Sequence, residues 1–388
     1  MIFEKSNQFE KKHNEKYIKQ INDKNILKNK NMELSLKKYR NKKVLVTGHT
    51  GFKGSWLTLW LKILGAKVIG ISKEILNRKG LYSYLSKGDV LTNEYFLDII
   101  NLKDLRRAIL ESKPDYIFHL AAQPIVSKSY LEPSLTFHTN AIGTMNILES
   151  IREIKDDITL VLITSDKCYE NLETYYGYKE IDKLGGKDPY SASKACAEII
   201  SNSYIRSIYK NRENIRISTA RAGNVIGGGD WSKDRLIPDA VKAWQNDQIL
   251  SIRNPKSTRP WQHVLEPLRG YLLLATYVDQ KKILKNELSC SSFNFGPRTD
   301  DVINVEEVIK LFSNYWKNAK YVIKSNSNET ESSLLNLSYD KASALLDWQP
   351  KLNALKSLKL TAEWYLAQES SSEMLDFSIE QINRYTNL

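Results

Sequence analysis

"KKVLVTGHTGFKGSWLTLWLKILGAKVIGIS", residues 42–72, decides the fold. Val44, Leu45 and Val46 make a short apolar strand, and Gly48-x-x-Gly51-x-x-Gly54 follows directly. Leu57, Trp60, Leu61 and Leu64 then recur at i, i+3, i+4 and i+7, the spacing of one helix face. Gly65 ends the helix, and a second apolar strand opens at Lys67. A strand, a glycine turn and a helix in that order form a phosphate site. Glycines let backbone N–H groups approach an anion, and the helix N-terminus stabilises its charge.

Further strands follow at intervals. "EYFLDIINLKDL" (94–105) reaches Asp98 and Ile99, and "DYIFHLAAQ" (115–123) ends in the small residues Leu120, Ala121 and Ala122. Ile158–Ile163 and Ile215–Arg221 are apolar throughout. Runs without polar alternation belong to parallel strands covered on both faces. The expected class is α/β, a doubly wound parallel Rossmann-type sheet with a smaller interleaved C-terminal substrate domain. The expected divisions are a basic, disordered extension at 1–40, a dinucleotide-binding domain at 41–222 and a mainly substrate-binding domain at 223–388.

"TSDKCYEN" (164–171) leaves the most hydrophobic strand and presents Ser165, Asp166 and Lys167 in succession. In "KDPYSASKACAEIISNSY" (187–204), Asp188 caps a helix, Pro189 takes its first position, and Tyr190 and Lys194 share a face. Beside a dinucleotide, a lysine ammonium favours the phenolate of such a tyrosine. The tyrosine then takes a hydroxyl proton as hydride leaves, and Ser165 holds the same oxygen. Asp166 and Lys167 are surplus to that oxidation. A 4-keto group acidifies the C5 proton of a hexose, so a base and an acid beside it can remove water across C5–C6.

The GxxGxxG turn and the Ser–Tyr–Lys set resemble the extended short-chain dehydrogenase/reductase superfamily. "TSDK", "LGGKDPYSASKACAE", "ARAGNVIGGGDW", "DRLIPD" and "RPWQHVLEPLRGYL" narrow the resemblance to its nucleotide-sugar dehydratases, on the CDP-glucose 4,6-dehydratase branch. It covers about residues 41–365. It implies that Asp166 is the acid at the C6 hydroxyl and that Lys167 is the C5 base or stabilises the enolate. The product is CDP-4-keto-6-deoxyglucose, a precursor of deoxysugars in surface polysaccharides such as O-antigen.

It also implies NAD, held by Gly48, Thr50, Gly51, Phe52, Lys53, Gly54, Asp98, Ile99, Leu120, Ala121, Ala122, Tyr190 and Lys194. The residues alone leave NADP open, because Ser72 and Lys73 stand where an acidic ribose reader is expected. Asp98 is alternatively a plain helix cap. On the sugar-nucleotide side the expected contacts are Gln123, Ser129, Asn224, Arg235, Leu236, Ile237, Arg253 and Arg259. Trp261 and His263 read equally as core or ligand contacts. The helix from Tyr190 and the one around Thr144–Ile154 correspond to the pair used by relatives for dimer contacts, so a homodimer or homotetramer is expected.

Two other readings share many of these residues. A 4-epimerase needs Ser165, Tyr190 and Lys194 but has no use for Asp166 and Lys167, while a dTDP- or GDP-sugar dehydratase would use all five. A non-catalytic sugar-nucleotide-binding protein would have no reason to keep the set intact.

Composition limits the rest. The 388 residues are 41% hydrophobic and 26% charged, with a net charge of +12. Residues 1–43 hold 13 Lys and Arg against 5 Asp and Glu, so +8 of that charge sits in the first ninth of the chain. The basicity therefore belongs to a tail, or to a stretch upstream of a start at Met32, and argues poorly for nucleic acid. Cys168, Cys196 and Cys290 are scattered, which suits a reducing cytoplasm and no metal site. No run approaches membrane-span length.

Overall fold

The computed structural model describes residues 34–75, 78–174, 176–280, 292–324, 334–371 and 373–388. Its centre is a seven-stranded sheet built from β1 (Lys43–Thr47), β2 (Lys67–Ser72), β3 (Asn93–Phe96), β4 (Tyr116–His119), β5 (Ile158–Ile163), β6 (Ile215–Ala222) and β7 (Ser292–Phe295). Every pairing is parallel, in the order β7-β6-β5-β4-β1-β2-β3. The chain winds outward from β1 to β3, then returns to place β4 on the other side of β1. That reversal opens a crevice at the carboxyl ends of β1 and β4, the position at which open α/β sheets bind ligands.

Helices cover both faces, as the unbroken apolar strands require. One face packs against α1 (Phe52–Ile63), α6 (Leu265–Gln280), α7 (Ala354–Ser370) and α8 (Met374–Thr386) around Val44, Trp60, Leu272, Trp364 and Tyr385. The other packs against α2 (Leu102–Ser112), α3 (Gly143–Ser150) and α4 (Pro189–Arg206) around Leu45, Ile109, Ile147 and Leu160. The second half of the chain is threaded through the first: β7 completes the sheet, and α6 lies on β5 and β6. Between β6 and α6 in the chain lies α5 (Leu236–Gln245).

The packed chain begins earlier than residue 41. Tyr39 is fully buried, donates from its hydroxyl to Leu272 O at 2.7 Å, and lies 5.1 Å from the Tyr116 ring. Its aromatic area is too large for the core to leave in water. The rest of the expected extension, residues 1–33, and Cys290 lie outside the described residues.

The glycine turn follows from close approach. Gly48 has φ +74°, and a Cβ there would come within 2.7 Å of Ala121 N. A Cβ on Gly54 would sit 2.0 Å from Gly48 O, a backbone atom that cannot give way. Gly54→Ala is therefore expected to cost about 1–3 kcal/mol of stability, the usual cost of overpacking. A thermal melt beside an NAD titration checks this; parental values in both would count against the turn's role.

Candidate active site

The turn that closes α1 against β1 also makes an anion cradle. Gly51 is the N-cap and no side chain caps the helix, so the first-turn N–H groups remain for an acceptor from outside the turn. Leu120 N donates to Thr47 O and Ala121 N to Thr47 Oγ1, which draws the end of β4 along the turn. Thr50 is buried and donates from its hydroxyl to Glu74 O at 2.8 Å. These residues fit a dinucleotide: a glycine surface that a Cβ would fill, a free helix end and small neighbours on the adjoining strand.

At the adenine end the placement is mixed. Asp98 is not the cap of α2, which is Asn101. Its carboxylate accepts from Ile100 N at 3.0 Å and pairs with Lys73 at 2.9 Å. Lys73, which left NADP open, is thus engaged. The Ile99 side chain is buried in the core, where a Cβ on Gly143 would meet it at 2.5 Å, so its side chain serves packing.

The five catalytic candidates come together at the end of β5. Ser165 caps a short 3-10 turn, accepting from Lys167 N at 3.2 Å and donating to Asp166 Oδ1 at 2.9 Å. Asp188 caps α4 as expected, accepting from Ser191 N at 3.0 Å, which aims Tyr190 and Lys194 inward. Ser165 stands close enough to the Tyr190 hydroxyl to favour its ionised form. Tyr190 and Lys194 are both buried, and the Lys194 ammonium donates to Ile163 O at 3.3 Å.

The charges differ from expectation in one respect. Burial pushes Tyr190 up to about 12; Ser165 and Arg235 oppose this, while Asp166 and Asp188 add to it. Lys194 does not dominate its titration, because its ammonium is turned toward the β5 carbonyl. Lys194 itself is lowered to about 8 by burial, against the pull of Glu198 and Cys168. Burial also raises Asp166, although Lys167, Ser165 and Lys53 all favour its ionised form. Its Oδ2 is buried without a hydrogen-bond partner and lies 3.1 Å from where a Cβ on Gly223 would be, beside Pro260. A carboxyl kept from water with one free oxygen suits proton donation.

Lys53 links the cofactor turn to the substrate side. It is lowered to about 7, chiefly by burial and also by Arg235 and Lys194, with Asp166 and Asp230 opposing them. Arg235 is the N-cap residue of α5 and reaches Asp230 at 3.4 Å. Three basic side chains, Lys53, Arg235 and Lys194, thus lie within electrostatic reach of one another.

The other substrate-side candidates divide. Asn224 follows β6 beside the 262–263 strand, its carbonyl accepting from Gln262 N at 3.1 Å. Arg259 precedes Pro260 at the catalytic turn and donates to Thr258 O at 2.8 Å. Arg253 lies near Asp239 on α5. Leu236 is partly buried and Ile237 is in the core. Gln123 and Ser129 depart from expectation. The Gln123 amide is taken up by Ile125 and Thr136, and the Ser129 hydroxyl by Val126 O, so both brace a local fold. His263 is fully buried and lowered to about 3 by burial, so it is a neutral core residue packed edge-on to Trp56.

Sequence reasoning missed Glu198, Arg221 and Tyr271. The first was legible, because 190, 194 and 198 share a helix face. The Tyr271 hydroxyl, buried and unpaired, is in electrostatic reach of Tyr190 and Asp166 and had no such signal.

Comparison with known proteins bears on most of the chain. The family model described as GDP-mannose 4,6 dehydratase matches residues 45–361. CDP-glucose 4,6-dehydratase of Salmonella typhimurium is 39% identical over 352 residues, which span 89% of this chain and 97% of that protein. CDP-paratose 2-epimerase of Salmonella typhi is 25% identical, over 83% of this chain and 98% of that protein. Among solved structures, dTDP-glucose 4,6-dehydratase from Bacillus anthracis, in complex with NAD, superimposes with a TM-score of 0.67. It is 23% identical and covers 87% of this chain and 99% of that one. The epimerase Mth375 of Methanothermobacter thermautotrophicus gives 0.73 at 24% identity, covering 91% of this chain and 97% of that one.

Proposed function

We propose, from the premise that this chain belongs to the GDP-mannose 4,6 dehydratase family, that it converts CDP-glucose to CDP-4-keto-6-deoxyglucose with NAD as resident cofactor. The observation that carries this reading is the buried Asp166 carboxyl, one oxygen unpaired, between Ser165 and Lys167 and across from Tyr190. An epimerase has no work for that pair.

The Gly48–Gly54 turn and Asp98 would hold NAD, which would supply the acceptor for the C4 hydride and the donor of the same hydride to C6. The positive charges of bound NAD and of Lys194 would offset the burial that raises Tyr190, so that its phenolate removes the C4 hydroxyl proton while Ser165 holds that oxygen. Lys167 removes the C5 proton or stabilises the enolate that forms, and Asp166 protonates the departing C6 hydroxyl. Arg235, Arg259, Arg253 and Asn224 hold the sugar nucleotide, mostly from residues 223–388. The Lys73–Asp98 ion pair supports NAD over NADP, since it occupies the cation a 2′-phosphate would need.

The working form is a cytoplasmic homodimer or homotetramer. Free Cys168 and Cys196 support a reducing compartment, and no helix among the described residues is long and apolar enough to cross a membrane. Mass spectrometry of CDP-glucose incubated with protein and NAD tests the function, with dTDP-, UDP- and GDP-sugars in parallel and light scattering for assembly. Loss of one water from the CDP-sugar alone is expected. Unchanged mass with a C4 epimer would overturn the reaction, and a monomeric scattering mass the assembly.

A further inference from the structure

The α4 face that carries Tyr190 and Lys194 continues one turn on to Glu198, which the chemistry above does not use. Glu198 is fully buried, and a buried carboxylate is costly unless every lone pair is answered. Here every one is. Oε1 accepts from Thr164 Oγ1. Oε2 accepts from Thr219 Oγ1 at 2.9 Å, Arg221 Nη2 at 2.8 Å and Ser292 Oγ at 3.4 Å.

The donors matter by position. Thr164 immediately precedes Ser165, Thr219 and Arg221 lie on β6, and Ser292 opens β7. Arg221 extends the network by donating to Tyr169 Oη at 2.7 Å and Glu180 O at 3.2 Å. The segment bearing Ser165, Asp166 and Lys167 is therefore gripped at both ends, by Thr164 and by Tyr169.

We infer that Glu198 is a positioning residue for the dehydration: it clamps the 164–169 segment to α4 and sets a fixed negative charge one helical turn from Lys194. Burial pushes the Glu198 pKa up, but the Arg221 charge and the donated hydrogen bonds outweigh it, so the group stays ionised. Around Lys194 stand Tyr190 and Glu198 on its own helix, Cys168 in the turn, His119 at the end of β4, Lys53 in the glycine turn and Arg221 behind Glu198. His119 is lowered to about 3 and carries no charge, and Lys53 is of the same sign as Lys194. Glu198 is thus the counter-charge that keeps Lys194 protonated. A merely structural ion pair would not need this placement, since apolar residues of the same volume hold a core as well.

The inference rests on the dehydratase reading, so the parent enzyme is assayed first. The pH profile of first-turnover cofactor reduction in Glu198→Gln, a step that precedes the Asp166-dependent elimination, is then compared with that of the parent, with NAD and CDP-glucose saturating. Losing the counter-charge lowers the Lys194 pKa, so the alkaline limb should move down by about one pH unit. Thr164→Val loosens the clamp but keeps the charge; it should leave the limb in place and lower kcat about tenfold, with KM unchanged. An unmoved limb in folded Glu198→Gln overturns the charge role, and if that variant does not fold, parental kcat in Thr164→Val overturns the clamp. A parent inactive on every nucleotide sugar sinks the dehydratase reading itself.

Discussion

Tyr190→Phe is expected to lower CDP-glucose turnover by roughly 10²–10⁴-fold, the usual contribution of a positioned general base. Sugar-nucleotide affinity and melting temperature should stay close to those of the parent. The ring is buried and keeps its shape in the variant, and Ser165 keeps its hydrogen bonds to Asp166 and Lys167 N. The first hydride transfer is the step removed, so no reduced cofactor should appear on mixing with substrate. A variant that reduces its cofactor at the parental rate would take Tyr190 out of the mechanism.

Lys167→Ala separates the two halves of the reaction. C4 oxidation uses Ser165, Tyr190 and Lys194 and should survive, whereas loss of water should slow by about 10²-fold. The expected signature is reduced cofactor that builds up in the first turnover and persists, read from its near-ultraviolet absorbance. Normal turnover would show that Lys167 is only a solvated turn residue. The acid side has its own sign. Asp166 must be protonated to act, and burial raises its pKa, so elimination should fail as pH rises through that raised value.

Local chemistry was legible in the sequence wherever one short segment contained the whole argument. The glycine turn, the Asp188 cap, Tyr190 with Lys194 and the Ser165–Lys167 run all stand where their spacing put them. What failed depended on tertiary burial. Gln123 and Ser129 have side chains suited to a sugar, but only the fold shows that Ile125 and Val126 carbonyls and the Thr136 hydroxyl accept from them. The Tyr190–Lys194 spacing predicted a depressed tyrosine, yet it carries no information on which carbonyl the ammonium meets or how dry the site is. Arg221 looked like an ordinary strand residue, and its partner lies on an element that sequence distance does not connect to it. Tyr39 was assigned to a tail by composition, although a single aromatic reaching Leu272 O was enough to draw the chain inward.

The way α8 closes the molecule has a consequence for how the protein is made. Tyr385 stands edge-on to Trp60 on the first helix and hydrogen-bonds both Glu266 and Arg269 on α6. Trp364 fills the space over Gly228, where even a methyl group would overlap its ring at 2.0 Å. The first strand–helix–strand unit therefore emerges from the ribosome with its apolar surface unfinished and waits for nearly the whole chain to be translated. Such non-local closure slows folding and leaves sticky surface open meanwhile. Nascent chains halted before residue 364 should engage chaperones and resist refolding alone, while release of the last helix lets the entire sheet lock in one step.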